Sequence, residues 1–501
     1  MNPAGSGRRT AAVTRRASPR PVVVVGAGLA GLSAALHLRG DGHEVVVVEQ
    51  AAHCGGLMGR LDVDGHRVDT GPTVLTMPEL VDEALAAVGD RLADRVELLP
   101  LDPAYRAVFA DGSAIDVHTD AAAMEHAVRE FAGGADADGY RRLRAWLTRL
   151  YEVQRDRFIA ANFDSPLDLV GRDLAALAGL GGFGNLTGAV SRFLRDPRLQ
   201  RVFTFQALYA GVAPQDALAA YAVIAYMDTV AGVWFPRGGM RQVPAAMEAA
   251  AVAAGIEVRR DTEALALERT GDRVTAVLVG GDRIPCGAVV LATGPGQTTR
   301  LLRGRPRRTL RWSPSAVVVH LSARRVVDGL AHHTISFGDA WETTFDEIIS
   351  RGRLMSDPSL LLTTPTRTDP SLAPPGRDLH YLLAPCPNLD RNPLRWDLRG
   401  SGYADDLVDT LVRRGLIASA DDVTRIALST PDDWAAGGQA AGTPFSAAHT
   451  FGQTGPFRPR NLPFRRGNVV LAGSGTTPGV GIPPVLISGR LAARRLRTPA
   501  D

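Results

Sequence analysis

Residues 21–49 read P-V-V-V-V-G-A-G-L-A-G-L-S-A-A-L-H-L-R-G-D-G-H-E-V-V-V-V-E, and this stretch decides the fold. The wholly apolar run Val22 to Val25 suits a parallel strand buried on both faces. Gly26, Gly28 and Gly31 follow at G-x-G-x-x-G spacing, and Leu29, Leu32, Leu36 and Leu38 carry a helical pattern that Gly40 and Gly42 stop. Val45 to Val48 form a second strand ending in Glu49. In such a unit the first glycine makes the tight turn, the second lets a pyrophosphate approach the backbone, and the third lets helix and strand pack closely. The pyrophosphate then meets unpaired N–H groups at the positive end of the helix. Glu49, eighteen residues past Gly31, is placed to accept bonds from an adenosine ribose. Strand, glycines, helix, strand and terminal acid in this order predict a dinucleotide site formed by Gly26, Ala27, Gly28, Leu29, Ala30, Gly31 and Glu49.

Working outward, 501 residues are enough for two or three domains with ample core. A formal charge of +3 on this length is no nucleic-acid footprint. The chain contains no lysine, so all 56 basic residues are arginine and lysine Schiff-base chemistry is excluded. Cys54, Cys286 and Cys386 are scattered without metal-like spacing, and read as unpaired structural thiols in a reducing cytoplasm. No metal site is expected. Residues 1–20 hold five arginines and no acid, and read as a disordered arm able to sit near an anionic membrane surface. The apolar stretch after them belongs to the nucleotide fold rather than to an export signal. No run reaches the roughly 18 apolar residues of a membrane span.

The pattern along the chain predicts a hairpin over 59–68, a helix from Glu79 to Val88, short strands within 100–118 and helices over 121–160. Segment 166–194 is apolar, glycine-broken and poor in charge. It reads either as a buried helical pair or as a greasy surface facing lipid or a long apolar ligand. Aromatic and small residues dominate 201–234. From Pro236 a helix to about Ala254 is expected, then strands near 256–258, 264–267, 274–279 and 288–292, and a turn at 293–296. Over 315–445 the expectation is strands near 316–321, 360–364 and 380–384, with a helix near 341–349. Nucleotide-fold grammar returns at Val469 to Ala472, with glycines at 473, 475, 479 and 481 and a helix from about Pro484. The interleaving predicts an α/β Rossmann-like domain from 21–100, 235–300 and 462–497, alternating with a mixed α+β domain from 101–234 and 301–461. The ligand site is expected along their seam.

Further motifs recur in fixed order: D-T-G-P-T-V-L-T-M-P at 69–78, G-V-W-F-P-R-G-G-M at 232–240, L-A-H-H-T-I-S-F-G at 330–338, Q-T-G-P-F-R-P-R-N at 453–461 and G-S-G-T-T-P-G-V-G-I-P-P at 473–484. Through them the chain, from 21 to 496, resembles the bacterial and fungal phytoene desaturases, FAD-dependent carotenoid oxidoreductases of the flavin amine oxidase-like superfamily. The resemblance implies FAD, its adenosine end on the 26–31 glycines and Glu49, its flavin end on Gly473, Gly475, Gly481 and Ile482, with Gly55 and Gly56 beside it. Relatives carry arginine after that glycine pair. Here Leu57 follows, and Arg60 is the basic residue expected to supply the charge. Thr477 and Pro484 replace the usual His and Gly of the last motif, and Ala448 and His449 stand where an acid is frequent. An acid–base aspartate of some relatives corresponds to Asp173, although its accompanying arginine is missing from the neighbouring sequence.

The resemblance implies desaturation of phytoene towards lycopene, by hydride transfer from substrate carbon to flavin N5 plus proton loss, with the flavin carrying the chemistry and the protein the alignment. The substrate, a long apolar polyene, is expected to be drawn from a membrane by a peripheral enzyme on the inner face of the cell membrane. No second fingerprint for a nicotinamide cofactor is present, so oxygen or a quinone is the expected electron acceptor. Left open are a desaturase of later intermediates, a carotenoid isomerase and a non-catalytic lipid escort.

Overall fold

The computed structural model describes residues 20–304, 309–324, 327–464 and 467–496. The N-terminal arm expected over 1–20 lies outside them except for Arg20. At the centre is a five-stranded parallel sheet in the order Val469–Leu471, Ala288–Leu291, Val22–Val25, Val45–Val48, Glu257–Arg259. Val22 stands opposite both Val45 and Ala288, so the glycine-loop strand is the middle one. Its side chains divide between two faces. Val22 and Val24 join a core with the helices, whereas Val23 and Val25 pack towards Val274, Val277 and Ile284 of an antiparallel three-stranded sheet. Both faces are covered, which is why the strand is apolar at every position. Burying four valines stabilises the fold by at most roughly 6–12 kcal/mol, and a charge at Val24, which is fully buried, would break the layer.

Helix Leu29–Gly40 lies on this sheet and crosses the last helix, Ile482–Leu496. The crossing is close: a Cβ on Gly489 would stand 2.3 Å from the Ala30 carbonyl oxygen, and Ser33 Oγ donates to the Leu486 carbonyl at 2.8 Å. The second layer is a seven-stranded mixed sheet, ordered Val423–Ser429, Ser315–Ala323, Asp378–Cys386, Leu360–Thr363, His333–Ser336, Tyr105–Val108, Ala114–Val117. Helix Ala121–Ala132 packs on the edge strand Ala114–Val117 and on the long helix Gly134–Gln154 that follows it. Cys54, Cys286 and Cys386 are buried and unpaired.

Several elements depart from the expectations. The turn at 293–296 is the start of helix Pro295–Leu301, with proline at its first position. Helix Trp396–Arg413 and strand Val423–Ser429 were not foreseen within 315–445. Segment 166–194 combines both readings: the 3-10 turn Pro166–Leu169 leaves Leu167, with Val170 after it, exposed by 76% and 66%, whereas the short helices Arg172–Gly179 and Leu186–Ser191 bury Leu177 and Leu186, Ala189 and Val190 in the core.

Candidate active site

The dinucleotide end is built by backbone. Gly26 turns the chain at φ +96°, and a Cβ there would stand 2.7 Å from the Ala292 carbonyl oxygen of the neighbouring strand's exit. A Cβ on Gly31 would overlap the Gly26 carbonyl oxygen at 1.9 Å. These contacts bring the helix start down onto the strand end. No side chain caps that start, and Gly28, Leu29 and Ala30 line the cavity there, leaving amide donors for an anion. Glu49 is buried and holds the loop: Oε2 accepts from the Ala27 N–H at 2.7 Å and Oε1 from the Ala51 N–H at 2.9 Å. Gly55 donates to the Ala27 carbonyl at 2.9 Å, which lays Gly55 and Gly56 beside Gly28 along the same wall.

Opposite, the loop from Gly473 to Gly481 brings Gly473, Ser474, Thr477, Gly481 and Ile482 to the cavity. Arg458 holds it from behind. Its guanidinium donates to the carbonyls of Ser474 at 2.8 Å, Thr476 at 3.1 Å and Ala447 at 3.3 Å. It is 2% exposed and has no carboxylate partner among the described residues; burial brings its pKa down to about 10. Beside it, Tyr221 Oη meets His449 Nδ1 at 2.9 Å and Thr454 Oγ1 at 2.5 Å. Burial, with the Arg458 charge added, holds His449 well below the usual imidazole range, so it is neutral. Gly479 is needed here because a side chain would run into the His449 ring, 2.3 Å away.

Both loops open into one cavity of about 1370 Å³, above the about 300–1,000 Å³ usual for a small-molecule site. Past the glycine loops its wall is largely apolar, with Leu177, Tyr209, Val223, Ile224, Met227 and Leu383 among its residues. It reaches Leu169, Phe183, Phe451 and Phe457, the last three flanking or belonging to exposed turns, and the turn Gly455–Phe457 packs beside Pro166–Leu169. Asp228 is the buried carboxyl in the apolar part of this wall.

Of the residues expected from sequence, Gly26, Gly28, Leu29, Ala30, Glu49, Gly55, Gly56, Gly473, Gly481 and Ile482 line this one cavity. Ala27, Gly31 and Gly475 stand behind it, the first two in the loop contacts above and Gly475 against Pro295. Arg60 is not at the cavity. Its hairpin strand, Arg60–Val63, turns it outward to pair with Asp62 at 2.8 Å, and Leu57 occupies the wall instead. Asp173 is also outside. Its helix turns Leu174 and Leu177 inward, while its half-exposed carboxylate pairs with Arg157 at 3.3 Å. Its ion-pair partner thus comes from sixteen positions upstream. The residue the sequence did not single out is Asp228; Tyr221 belongs to the aromatic-rich stretch 201–234, and Arg458 to the motif at 453–461. For Asp228 the available signal was a lone acid closing the apolar run Y-A-V-I-A-Y-M. Among the described residues no group of three His, Cys, Asp or Glu side chains is placed to hold a metal.

The sequence profile of the flavin containing amine oxidoreductase family matches residues 29–497. The chain is 61% identical to a phytoene dehydrogenase of Streptomyces griseus over 95% of either chain. It is 35% identical to a zeta-carotene-forming phytoene desaturase of Myxococcus xanthus, covering 96% of this chain and 94% of that one. The crystal structure of an oxidoreductase from Methanosarcina mazei superimposes with a TM-score of 0.63 at 16% identity, over 94% of this chain and 99% of that one, which shows the shared fold. FAD fits the residues present: an uncapped helix start over a side-chain-free loop for the pyrophosphate, a buried acid beside it, and a second glycine loop across the same cavity. The chain belongs to the flavin containing amine oxidoreductase family, among the phytoene desaturases, and its cofactor is FAD.

Proposed function

We propose that this protein is an FAD-dependent desaturase that introduces double bonds into phytoene in carotenoid biosynthesis, towards lycopene. The observation that carries the reading is the continuity of one cavity from the dinucleotide loop to an apolar corridor ending at exposed hydrophobic turns. When bound, the flavin supplies a two-electron acceptor for substrate hydrogen. The protein aligns a substrate that offers no polar handle, and excludes water around it. Gly473, Gly481 and Ile482 hold the flavin end; Gly26, Gly28 and Glu49 hold the adenosine end. The test is direct. The purified protein should carry a flavin spectrum, and with phytoene in liposomes it should yield products of longer conjugation by chromatography. A colourless product pool with flavin bound would refute it, and a geometric isomer without new double bonds would favour the isomerase.

At about 0.8 kcal/mol per buried carbon, releasing forty carbons into water would cost roughly 30 kcal/mol, so substrate should pass from membrane to corridor without leaving apolar surroundings. No described helix is long and apolar enough to cross a membrane. Leu167, Val170 and Phe183, with Phe451 and Phe457 across the opening, are the exposed residues we place against the membrane's inner face. Electrons leave to oxygen or a membrane quinone; efficient anaerobic turnover with NAD⁺ alone would contradict this. The sheet memberships support the division into an FAD domain from 21–100, 235–300 and 462–497 and a substrate domain from 101–234 and 301–461.

A further inference from the structure

Past the glycine loops, the buried carboxyl on the cavity wall is that of Asp228, whose chemistry nothing above uses; the other carboxyl there, of Asp433, is exposed and accepts from Thr430. Asp228 lies in the π-helical turn Met227–Ala231, a kind of distortion that recurs at functional sites. It is 7% exposed, and it lines the cavity together with Met227 and Tyr209. Oδ2 meets Nε2 of Gln206 at 3.4 Å, a weak contact, and that nitrogen also donates to the Val202 carbonyl at 3.1 Å. Oδ1 of Asp228 and Oε1 of Gln206 are both buried without a partner among the described residues. Two acceptors without a donor in one buried pair is a deficit that a proton on the carboxyl relieves, since an unpaired carboxylate in apolar surroundings is costly.

We propose that Asp228 is the catalytic group that takes the proton lost by the substrate in each desaturation. The assignment rests on the desaturase reading. In the step, one carbon gives up hydrogen with both bonding electrons to the oxidised flavin. The adjacent carbon's C–H bond breaks, its proton goes to the Asp228 carboxylate, and its electron pair becomes the new π bond. A C–H beside a developing allylic cation is strongly acidic, so a weak, desolvated base in van der Waals reach suffices. Asp173, by contrast, is tied to Arg157 at the surface.

Burial pushes the Asp228 carboxyl up to about 8, with Gln206 and nearby backbone N–H groups pulling back in part. The titratable groups facing it are Tyr105 and Tyr209, both held neutral by burial. Arg144 is close by, but its guanidinium goes to the Thr229 carbonyl at 3.4 Å and to Tyr140 Oη at 3.0 Å. Only about one carboxyl in ten is then ionised at pH 7, and proton removal should quicken about tenfold from pH 7 to pH 9.

The experiment is anaerobic single-turnover bleaching of the flavin in the FAD-loaded protein by phytoene in liposomes. It is run on wild type, Asp228→Asn, Asp228→Glu and Asp173→Asn, beside infrared titration of the protonated carboxyl band. Asp228→Asn should keep its FAD spectrum, slow bleaching about 100-fold or more and lose a band titrating near pH 8; Asp228→Glu should recover part of the rate. Bleaching in Asp228→Asn within threefold of wild type, or a larger loss in Asp173→Asn, overturns the proposal. If Asp228→Asn fails to hold FAD, the wild-type pH limb and infrared band decide, their joint absence overturning it. Wild type that binds FAD yet never bleaches with phytoene sinks the desaturase reading itself, an outcome distinct from failure of Asp228 alone.

Discussion

Replacing Arg458 by methionine removes a buried charge yet is expected to weaken the protein, and the size of the effect follows from its contacts. Four carbonyls accept from it: those of Thr476, Ala447 and Gln453 lose their donor at 3.1–3.5 Å, while that of Ser474 keeps the Ser446 hydroxyl at 3.2 Å. Each buried acceptor left unmet costs about 1–3 kcal/mol, so roughly 6 kcal/mol is at stake. Against this, a guanidinium whose pKa is brought down to about 10 carries a desolvation cost of roughly 3 kcal/mol that methionine does not. The balance is about 3 kcal/mol, close to a hundredfold in an equilibrium constant. Because two of the carbonyls belong to the loop from Gly473 to Gly481, the loss should show as FAD affinity about a hundredfold weaker, with a lower melting temperature. Apoprotein titrated with FAD by fluorescence measures it. Arg458→Lys should behave nearly as badly, since one ammonium cannot reach four divergent carbonyls. Arg458→Met binding FAD within about threefold of wild type would refute the reasoning.

Gly31→Ala should purify without flavin absorbance, because its Cβ falls 1.9 Å from the Gly26 carbonyl oxygen and lifts the helix off the strand; a yellow, fully loaded variant would contradict this. Leu167→Asp with Val170→Asp should cut liposome flotation about a hundredfold, from about 1.5 kcal/mol lost per side chain, while FAD content stays unchanged. Acid stability should fall as pH drops from about 6.5 to about 4, read by the urea midpoint. Burial lowers His320 and His380 to about 4, so the unfolded chain binds protons that the native state refuses, worth about 3 kcal/mol each. Asp228 acts in the opposite sense: its carboxyl is raised to about 8, so its own contribution falls as pH climbs from about 4 to about 8 and shows as a net fall above about 6.5, where the two histidines no longer titrate. Asp228→Asn should remove that limb, which a midpoint still falling with pH as in wild type would deny.

The glycine loop and its strands were legible because their signals are local: four valines need cover on both faces wherever they lie, and Gly26 meets its steric limits within a few residues of chain and one neighbouring strand. Helix Trp396–Arg413 buries Trp396, Tyr403, Leu407 and Leu411, a helical spacing visible in the sequence but broken up by Gly400, Gly402 and dense charge. Arg157 and Asp173 show a different limit. The partner of an acid is set by how two helices meet, so searching the adjacent residues misses it. Arg60 illustrates the reverse, since proximity in sequence to Gly56 suggested a contact that the hairpin's direction forbids. Asp228 depends wholly on tertiary burial. An acid after an apolar run reads as a helix end until the structure encloses it.

The glycine strand sits between strands that arrive at residues 45 and 288, the second of them is covered in turn by the strand at 469, and the helix after the glycines is clasped by the last helix through Gly489. During synthesis the amino-terminal portion must therefore wait, half-covered, for segments that leave the ribosome hundreds of codons later. Cofactor capture belongs to the end of that process, and nascent chains stalled before residue 469 should be the form that chaperones hold.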